Sequence, residues 1–267
     1  MESRAGNPLK EAEYIMRIRR RYAVLLALAA AGALAMSGIA MAASSSTFSF
    51  AFAPSKAPKT TYKAGGLFTD LRTHYTNPAD PVDRTQIYLD KNFKINTNAA
   101  GKCSSSQLSN KTMKQAMAAC KNALVGTGKA QAQGPASIGT IQACVLLFNG
   151  QPQAGKPTLK VFTRAQATPN SQINCSNPAN NNQGNATVLL NGVLKGATGK
   201  YGKVLDVAKI SQASPFPLTV YTTTIKKGNY ISARCAAADH LWHMQITWTY
   251  KSGQKNTVHK TQKCTVG

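Results

Sequence analysis

Leu67-Phe68-Thr69-Asp70-Leu71-Arg72-Thr73-His74-Tyr75 puts Leu67, Thr69, Leu71, Thr73 and Tyr75 on one side and Phe68, Asp70, Arg72 and His74 on the other. A period of two is the mark of a β-strand with one face toward a core. The cluster Asn77-Pro78-Ala79-Asp80-Pro81 then turns the chain. Upstream, Phe48, Phe50 and Phe52 share one face of a strand that Pro54 and Pro58 end. Downstream the pattern recurs at Arg84–Leu89 (extended by Phe93–Ile95), Val125–Gln131, Ser137–Phe148, Thr158–Gln166, Ala186–Leu194 and Lys203–Ile210. It continues at Leu218–Ile225, Tyr230–Cys235, Leu241–Tyr250 and Thr257–Cys264. Gly, Pro or Asn punctuates nearly every junction, and no helix of crossover length separates successive strands.

Many strands with short turns read as a sandwich or barrel. We expect an all-β, β-sandwich-like unit of about ten strands over residues 63–267, with two lobes dividing near Gln151–Lys156 and residues 43–62 leading in. One short helix is expected near residues 104–120, where Leu108, Met113, Ala116, Met117 and Cys120 have helical spacing and Ser104, Ser105 or Ser106 can cap it. Core positions are Ile87, Leu89, Ile141, Val145, Leu147, Leu159, Val161, Leu189, Val220, Ile231, Ile246 and Trp248.

Residues Met16–Ala42 have the make-up of a secretory signal. Arg17, Arg19, Arg20 and Arg21 precede an apolar run from Tyr22 to Met36, and Ala40-Met41-Ala42 offers a cleavage site. Glu2, Glu11 and Glu13 do not suit the basic end of such a signal, so translation is expected to begin at Met16. The alternative is an uncleaved anchor over Tyr22–Ala43. No cysteine sits at the cleavage point and no apolar tail ends the chain, so the membrane is met only through the signal.

All six cysteines lie after this segment: Cys103, Cys120, Cys144, Cys175, Cys235 and Cys264. An even count in an exported chain points to three disulfides, and pairing neighbours gives Cys103–Cys120, Cys144–Cys175 and Cys235–Cys264. There is no C-x-x-C at metal-finger spacing.

From Ala43 onward the chain holds 22 Lys and 4 Arg against six Asp and no Glu, a net charge of about +20. Such a field attracts anionic polymers: wall polymers, lipid surfaces or extracellular nucleic acid. Scattered lysines serve solubility equally well. Specific base reading favours arginine, and only Arg72, Arg84, Arg164 and Arg234 are available, so no specific nucleic-acid partner is expected.

Catalytic motifs are sparse. Asp239-His240-Leu241-Trp242-His243 comes nearest to a ligand set, but His240 and His243 fall on opposite faces of a strand unless the segment starts in a turn. No G-x-S-x-G elbow is present, and a hydrolase would need a noncontiguous site around His240 and Asp239. Val125-Gly126-Thr127-Gly128-Lys129 lacks the rest of a phosphate loop, so its glycines read as close strand packing. Lys226-Lys227-Gly228-Asn229 reads as an exposed turn, and Pro169–Gly184 as a polar surface loop. Asn110, Asn174 and Asn185 open glycosylation sequons.

Five segments together resemble an uncharacterised group of secreted proteins from high-GC Gram-positive bacteria. They are Pro54-Ser55-Lys56-Ala57-Pro58, Ile87-Tyr88-Leu89-Asp90, Cys120 followed by Val125-Gly126-Thr127-Gly128, Leu147-Phe148-Asn149-Gly150, and Tyr230-Ile231-Ser232-Ala233-Arg234-Cys235. The resemblance implies an extracellular β-sandwich, carries no catalytic residue, and does not include His240 or His243.

The functional expectation is an exported, non-catalytic extracellular or cell-envelope protein held to anionic wall polymers by lysine charge, with no catalytic residue, metal or cofactor. The alternatives are a small-ligand or carbohydrate-binding module, with Trp242, Tyr201 and Tyr221 as aromatic candidates, and the hydrolase above.

Overall fold

The computed structural model describes residues 44–166, 175–178, 186–214 and 216–267. In chain order its first strands are β1 (Ser45–Ala53), β2 (Lys56–Ala57), β3 (Lys63–Ala64), β4 (Gly66–His74), β5 (Val82–Asp90) and β6 (Phe93–Ile95). Two short helices follow, α1 (Ser105–Leu108) and α2 (Met113–Ala119). Next come β7 (Leu124–Gln133), β8 (Thr140–Gln153), β9 (Lys156–Gln166), β10 (Ala186–Gly196), β11 (Tyr201–Val207) and a one-turn helix α3 (Ile210–Ala213). The chain ends with β12 (Leu218–Ile225), β13 (Ile231–Ala233), β14 (Leu241–Tyr250), β15 (Lys255–Lys263) and β16 (Thr265–Val266). The signal, the proposed start at Met16, most of the Pro169–Gly184 loop and the sequon asparagines Asn174 and Asn185 lie outside the described residues.

β4 follows its sequence pattern closely: Leu67, Thr69, Leu71 and Thr73 are buried, while Phe68, Arg72 and His74 are exposed. β1 pairs antiparallel with it from Ser45 opposite His74 to Ala53 opposite Gly66. Its Phe48 and Phe52 are buried, so residues expected to lead into the domain form part of its wall. Eleven long strands make one antiparallel sheet in the order β1-β4-β12-β7-β8-β9-β10-β11-β5-β14-β15. The expected all-β class, its strand number, its short helical region and all three cysteine pairings are present. The facing layers belong to a single sheet that curls until it nearly closes into a barrel.

Strand parity explains the seam. Eleven antiparallel strands leave the two edges, β1 and β15, running in the same direction, so a further antiparallel ladder cannot join them. A side chain does part of the work: Phe52 N–H donates to Gln262 Oε1 at 2.6 Å, and Gln262 Nε2 donates to Phe52 O at 3.0 Å. Beyond it, β16 pairs parallel with β2, as the parity requires. The Cys235–Cys264 disulfide anchors the chain between β15 and β16. Removing the bridging amide in Gln262→Ala leaves a backbone donor and acceptor of Phe52 without partners. We expect a loss of about 1–3 kcal/mol in denaturant unfolding. Amide exchange should speed up at Phe52 while the antiparallel β1–β4 pairings stay protected.

The segment Gln151–Lys156 is a hairpin rather than a division between lobes. Ala154 and Gly155 both take positive φ (48° and 73°), the geometry of a tight two-residue turn between β8 and β9. At Gly126 an added Cβ would stand 2.5 Å from Thr224 O, so the glycines of β7 do permit close strand approach.

β8 reads as an almost unbroken apolar run because both its faces are covered. Val145 and Leu147 face the barrel interior. On the other face Cys144, Leu146, Phe148 and Phe162 of β9 pack beneath Leu108, Met113 and Ala116 of the helices. The expected single helix is two, capped by Ser104 and Thr112 in capping boxes with Gln107 and Gln115. Asn110, in a left-handed conformation at φ 56°, makes the break between them. At the end of the barrel reached by Phe52 and Leu89, the small sheet β3-β13-β6 crosses over and packs Phe93 and Ile231 into the main core.

Candidate functional site: an apolar barrel lumen

The interior is not filled. A cavity of about 140 Å³ lies inside the barrel, lined from β4, β5, β8–β12 and β14 by residues that include Leu71, Ile87, Leu159, Leu190, Leu205 and Trp248. Ile95, Tyr230 and Ile231 border it from the small sheet side, and Ile210 of α3 from elsewhere. Several inward apolar residues, among them Ile87, Leu190, Leu205 and Ile225, keep residual accessible surface although they are on the inner wall. That surface belongs to the void.

The lining carries no charged side chain. Its polar groups are mostly hydroxyls that satisfy one another or the backbone. Thr69 and Thr223 oxygens are 2.8 Å apart, and Thr73 is 3.0 Å from Ser46 Oγ, which in turn lies 3.0 Å from Tyr250 OH. Thr158 and Thr219 donate to the carbonyls of Gln151 and Gln131. Tyr230 OH donates to Asn149 Oδ1 at 3.4 Å, and burial pushes its pKa up to about 12. The same cause takes Tyr75 to about 12, although that hydroxyl also donates to Leu218 O.

The three aromatic candidates from the sequence separate. Trp242 is wholly buried against Phe52 and Phe93 and donates its indole N–H to Arg234 O, so it offers no platform. Tyr221 faces the lumen. Tyr201 lies on the outer wall, its ring centroid 5.6 Å from that of Tyr88 and its hydroxyl 3.1 Å from His259 Nδ1. Inward and outward tyrosines cannot form one ligand platform.

The segment carrying His240 and His243 does begin in a turn, with His240 left-handed at φ 53°. His243 Nε2 lies 3.0 Å from Asp239 Oδ2, whereas His240 Nδ1 lies 3.7 Å from Cys235 Sγ of a disulfide. Asp239 has its pKa lowered first by the Leu241 N–H and then by His243. Among the described residues no three His, Cys, Asp or Glu side chains gather to hold a metal ion. The histidines' partners here are a carboxylate, a disulfide sulfur and a phenol.

Charge lies outside the barrel. Arg84 grips Asp206 with two bonds of 2.6 Å, and Lys195 contacts the same carboxylate. The Arg84 hydrogen bond is the main cause that holds Asp206 below the ordinary carboxylate range. A depressed folded-state pKa stabilises above the unfolded value of about 4 and is lost as pH falls through the folded one. The wild type should therefore lose stability below about pH 4, more steeply than Asp206→Asn, which starts about 1–3 kcal/mol less stable at pH 7. Urea melts of both proteins from pH 7 to 2.5 check this.

Sequence reading missed Lys160, the one lysine among the described residues that is buried, at 5% exposure. Its Nζ donates to Ser105 Oγ and Asn191 Oδ1, each at 2.8 Å, and desolvation lowers its pKa. It pins α1 to β9 and β10. Its position in Thr158–Gln166 marked it only as a strand residue facing away from Leu159 and Val161. Three disulfides mark an oxidising, extracellular-type environment. Compared with known proteins, the chain matches no family model, no curated protein and no solved structure.

Proposed function

We propose that the protein is an exported, non-catalytic binding module that holds a small apolar molecule in its barrel lumen. The observation that carries this reading is the uncharged, apolar wall around a void of about 140 Å³. Protein interiors are otherwise close-packed, and an empty space of this size costs roughly 3 kcal/mol. Engineered cavities of comparable volume stay dry and take up benzene-sized guests. A wall shaped by many strands, as in other small barrels that hold one ligand, gives such a guest a preformed site.

Trp248 borders the lumen and provides the signal. In a Trp242→Phe background, its fluorescence should respond to benzene, cyclohexane derivatives and short alkanols, but not to soluble sugars. Leu190→Trp, which fills the void from β10, should abolish that binding while keeping the melting temperature equal or higher. Tyr201→Ala on the outer wall should leave it unchanged. Saturable binding of sugars with no response to apolar guests would instead favour a carbohydrate module at Tyr88 and Tyr201.

A second reading, retention on anionic wall polymers by lysine charge, has its own support. Each of the six aspartates is engaged within the fold: Asp70 with Arg72, Asp206 with Arg84 and Lys195, and Asp80 and Asp83 with Ser252 and Ser211. Asp90 accepts from the backbone of Asn92 and His243, and Asp239 from Leu241. Lys195 is the one lysine in a salt bridge among the described residues, so nearly all the lysine charge remains free to act outward. The two readings are compatible: a wall-held carrier uses its exterior for position and its lumen for cargo. Co-sedimentation with cell envelopes should fall steeply between low and moderate salt and vanish when anionic polymers are stripped. Binding that ignores salt would discard the electrostatic reading.

A further inference from the structure

Successive long strands run in opposite directions, so alternate connections lie at opposite ends of the barrel. One end carries the connections β1–β4, β5–β7, β8–β9, β10–β11 and β12–β14, with all three strands of the small sheet. Charge divides unequally between the two ends. At this first end, Lys56, Lys59 and Lys63 lie between β1 and β4. Lys91, Lys94, Lys102 and Lys121 lie between β5 and β7, not counting Lys111 and Lys114, which stay with α1 and α2 on the flank. Lys200 follows β10, and Lys226, Lys227 and Arg234 follow β12. Against these eleven cations the same connections hold one acid, Asp239. At the opposite end the connections β4–β5, β7–β8, β11–β12 and β14–β15 hold Lys209 and Lys251 against Asp80.

Nine of the eleven are exposed, Lys227 and Arg234 are half-buried, and none is in a salt bridge among the described residues. The acids nearby are already engaged: Asp239 by the Leu241 N–H and His243, and Asp90, at the end of β5, by the N–H groups of Asn92 and His243. Lys91, Lys200 and Arg234 line one cleft. Arg234 is held in place there. Its Nε donates to Asn92 Oδ1 at 3.2 Å, and its guanidinium lies 5.2 Å from the centre of the Tyr62 ring, which Lys94 meets at 5.8 Å. These contacts leave its two terminal nitrogens as donors.

We propose that this basic end is the protein's docking surface and that its partner is a flexible, phosphate-rich wall polymer, with the opposite end of the barrel facing away. This rests on the reading that lysine charge retains the protein on the wall, and it narrows that charge to one face. Solubility is served by charges of both signs spread over a surface. Eleven like charges at one end repel one another, and such a single-sign field draws in a polyanion. Lysine acts as a point charge, which suits successive phosphates of a chain without selecting its sequence. In the cleft, Arg234 offers a phosphate its N–H donors, with Lys91 and Lys200 beside it. A bilayer fits less well. The large apolar side chains exposed at this end are Tyr62 and Val266, and Tyr62 already faces Lys94 and Arg234, so little is available to enter lipid.

The test uses the full chain and two variants of equal net charge, each with exposed lysines changed to glutamine. One carries Lys59→Gln, Lys91→Gln, Lys102→Gln and Lys226→Gln at the basic end. The other carries Lys114→Gln, Lys129→Gln, Lys251→Gln and Lys255→Gln elsewhere on the barrel. Both should melt with the wild type. Binding to inorganic polyphosphate, a soluble stand-in for the wall polymer, is followed by fluorescence anisotropy from low to moderate salt. Co-sedimentation with phosphatidylglycerol vesicles and with cell envelopes runs in parallel. The basic-end variant should bind polyphosphate roughly tenfold or more weakly and with a shallower salt dependence, while the other variant stays within about twofold of the wild type. Retention on envelopes should follow the same order. Equal weakening in the two variants would mean that charge acts from the whole surface. That result overturns the docking face and leaves wall retention standing. Tighter binding to the vesicles than to polyphosphate overturns the polymer as partner in favour of a lipid surface. Wild-type protein that ignores salt, or that binds neither polyphosphate nor envelopes, overturns the face and the wall reading together.

Discussion

Replacing Cys235 and Cys264 together by alanine should lower stability by about 3–4 kcal/mol and the melting temperature by roughly 10 °C. The bridge closes a loop of 29 residues, and restricting such a loop in the unfolded chain is worth about that much in the chain-entropy model. Its position adds a structural consequence. Cys264 follows β15 directly and precedes β16, the strand that pairs with β2 across the parallel seam. Cys264 N–H also donates to His240 O, so the bridge and its backbone contact hold the last residues of the chain at the seam. Loss of the disulfide should therefore expose the β2–β16 pair to hydrogen exchange before the β8–β9 hairpin. Calorimetry with residue-resolved exchange measures both. A variant that melts lower with uniform exchange across all strands would mean that the bridge acts on the unfolded chain alone.

The second large effect is a contrast between two apolar truncations. Phe162→Ala should cost about 3–5 kcal/mol, because Phe162 is wholly buried on the outer face of β9 among Cys144, Leu146 and Phe148. Leu190→Ala, on the lumen wall opposite Val161, should cost only about 1–2 kcal/mol. Leu190 already borders a void, so it has fewer contacts to lose and its removal enlarges a space that exists. Denaturant melts of both variants test the contrast. Equal costs would mean that the interior is packed and that the lumen does not exist as a cavity in solution.

The two truncations also show why the sequence spoke clearly about some positions and not others. β4 was legible residue by residue, because one face meets the interior and the other meets water. β8 was legible only as a strand. Helices cover its outer face, so both faces are apolar and alternation cannot tell the lumen side from the side beneath α1 and α2. The break in the 104–120 helix at Asn110 depended on a single left-handed residue inside a run with acceptable helical spacing.

The candidate site was less legible than the fold. Tyr201 and Tyr221 were both visible as aromatic residues in strands, yet one is on the outer wall and the other on the lumen. Trp242, also a candidate platform, is core. Periodicity assigns two residues to the same or opposite faces within one strand, but it does not relate the faces of different strands until their pairing is known. Lys160 shows the same limit for charge: a lysine in a strand reads as exposed until a helix elsewhere in the chain folds over it.

By itself, then, the sequence determined the local and near-neighbour features: the strand periods, the turns, the capped helical segment, the cysteine pairing between successive cysteines and the excess of lysine. These follow from residue chemistry at separations the chain spans without knowing its fold. Only the tertiary structure decided that the sheet nearly closes, because that depends on eleven strands meeting in an order that is not the order of the chain and on a seam bridged by Gln262. Only it decided that the interior stays open, because strand number and tilt set the barrel's width, whereas the sequence supplies the side chains that do or do not fill it. The Tyr221 hydroxyl, sealed and without a hydrogen-bond partner, belongs to that second kind: its isolation is a property of the whole wall around it.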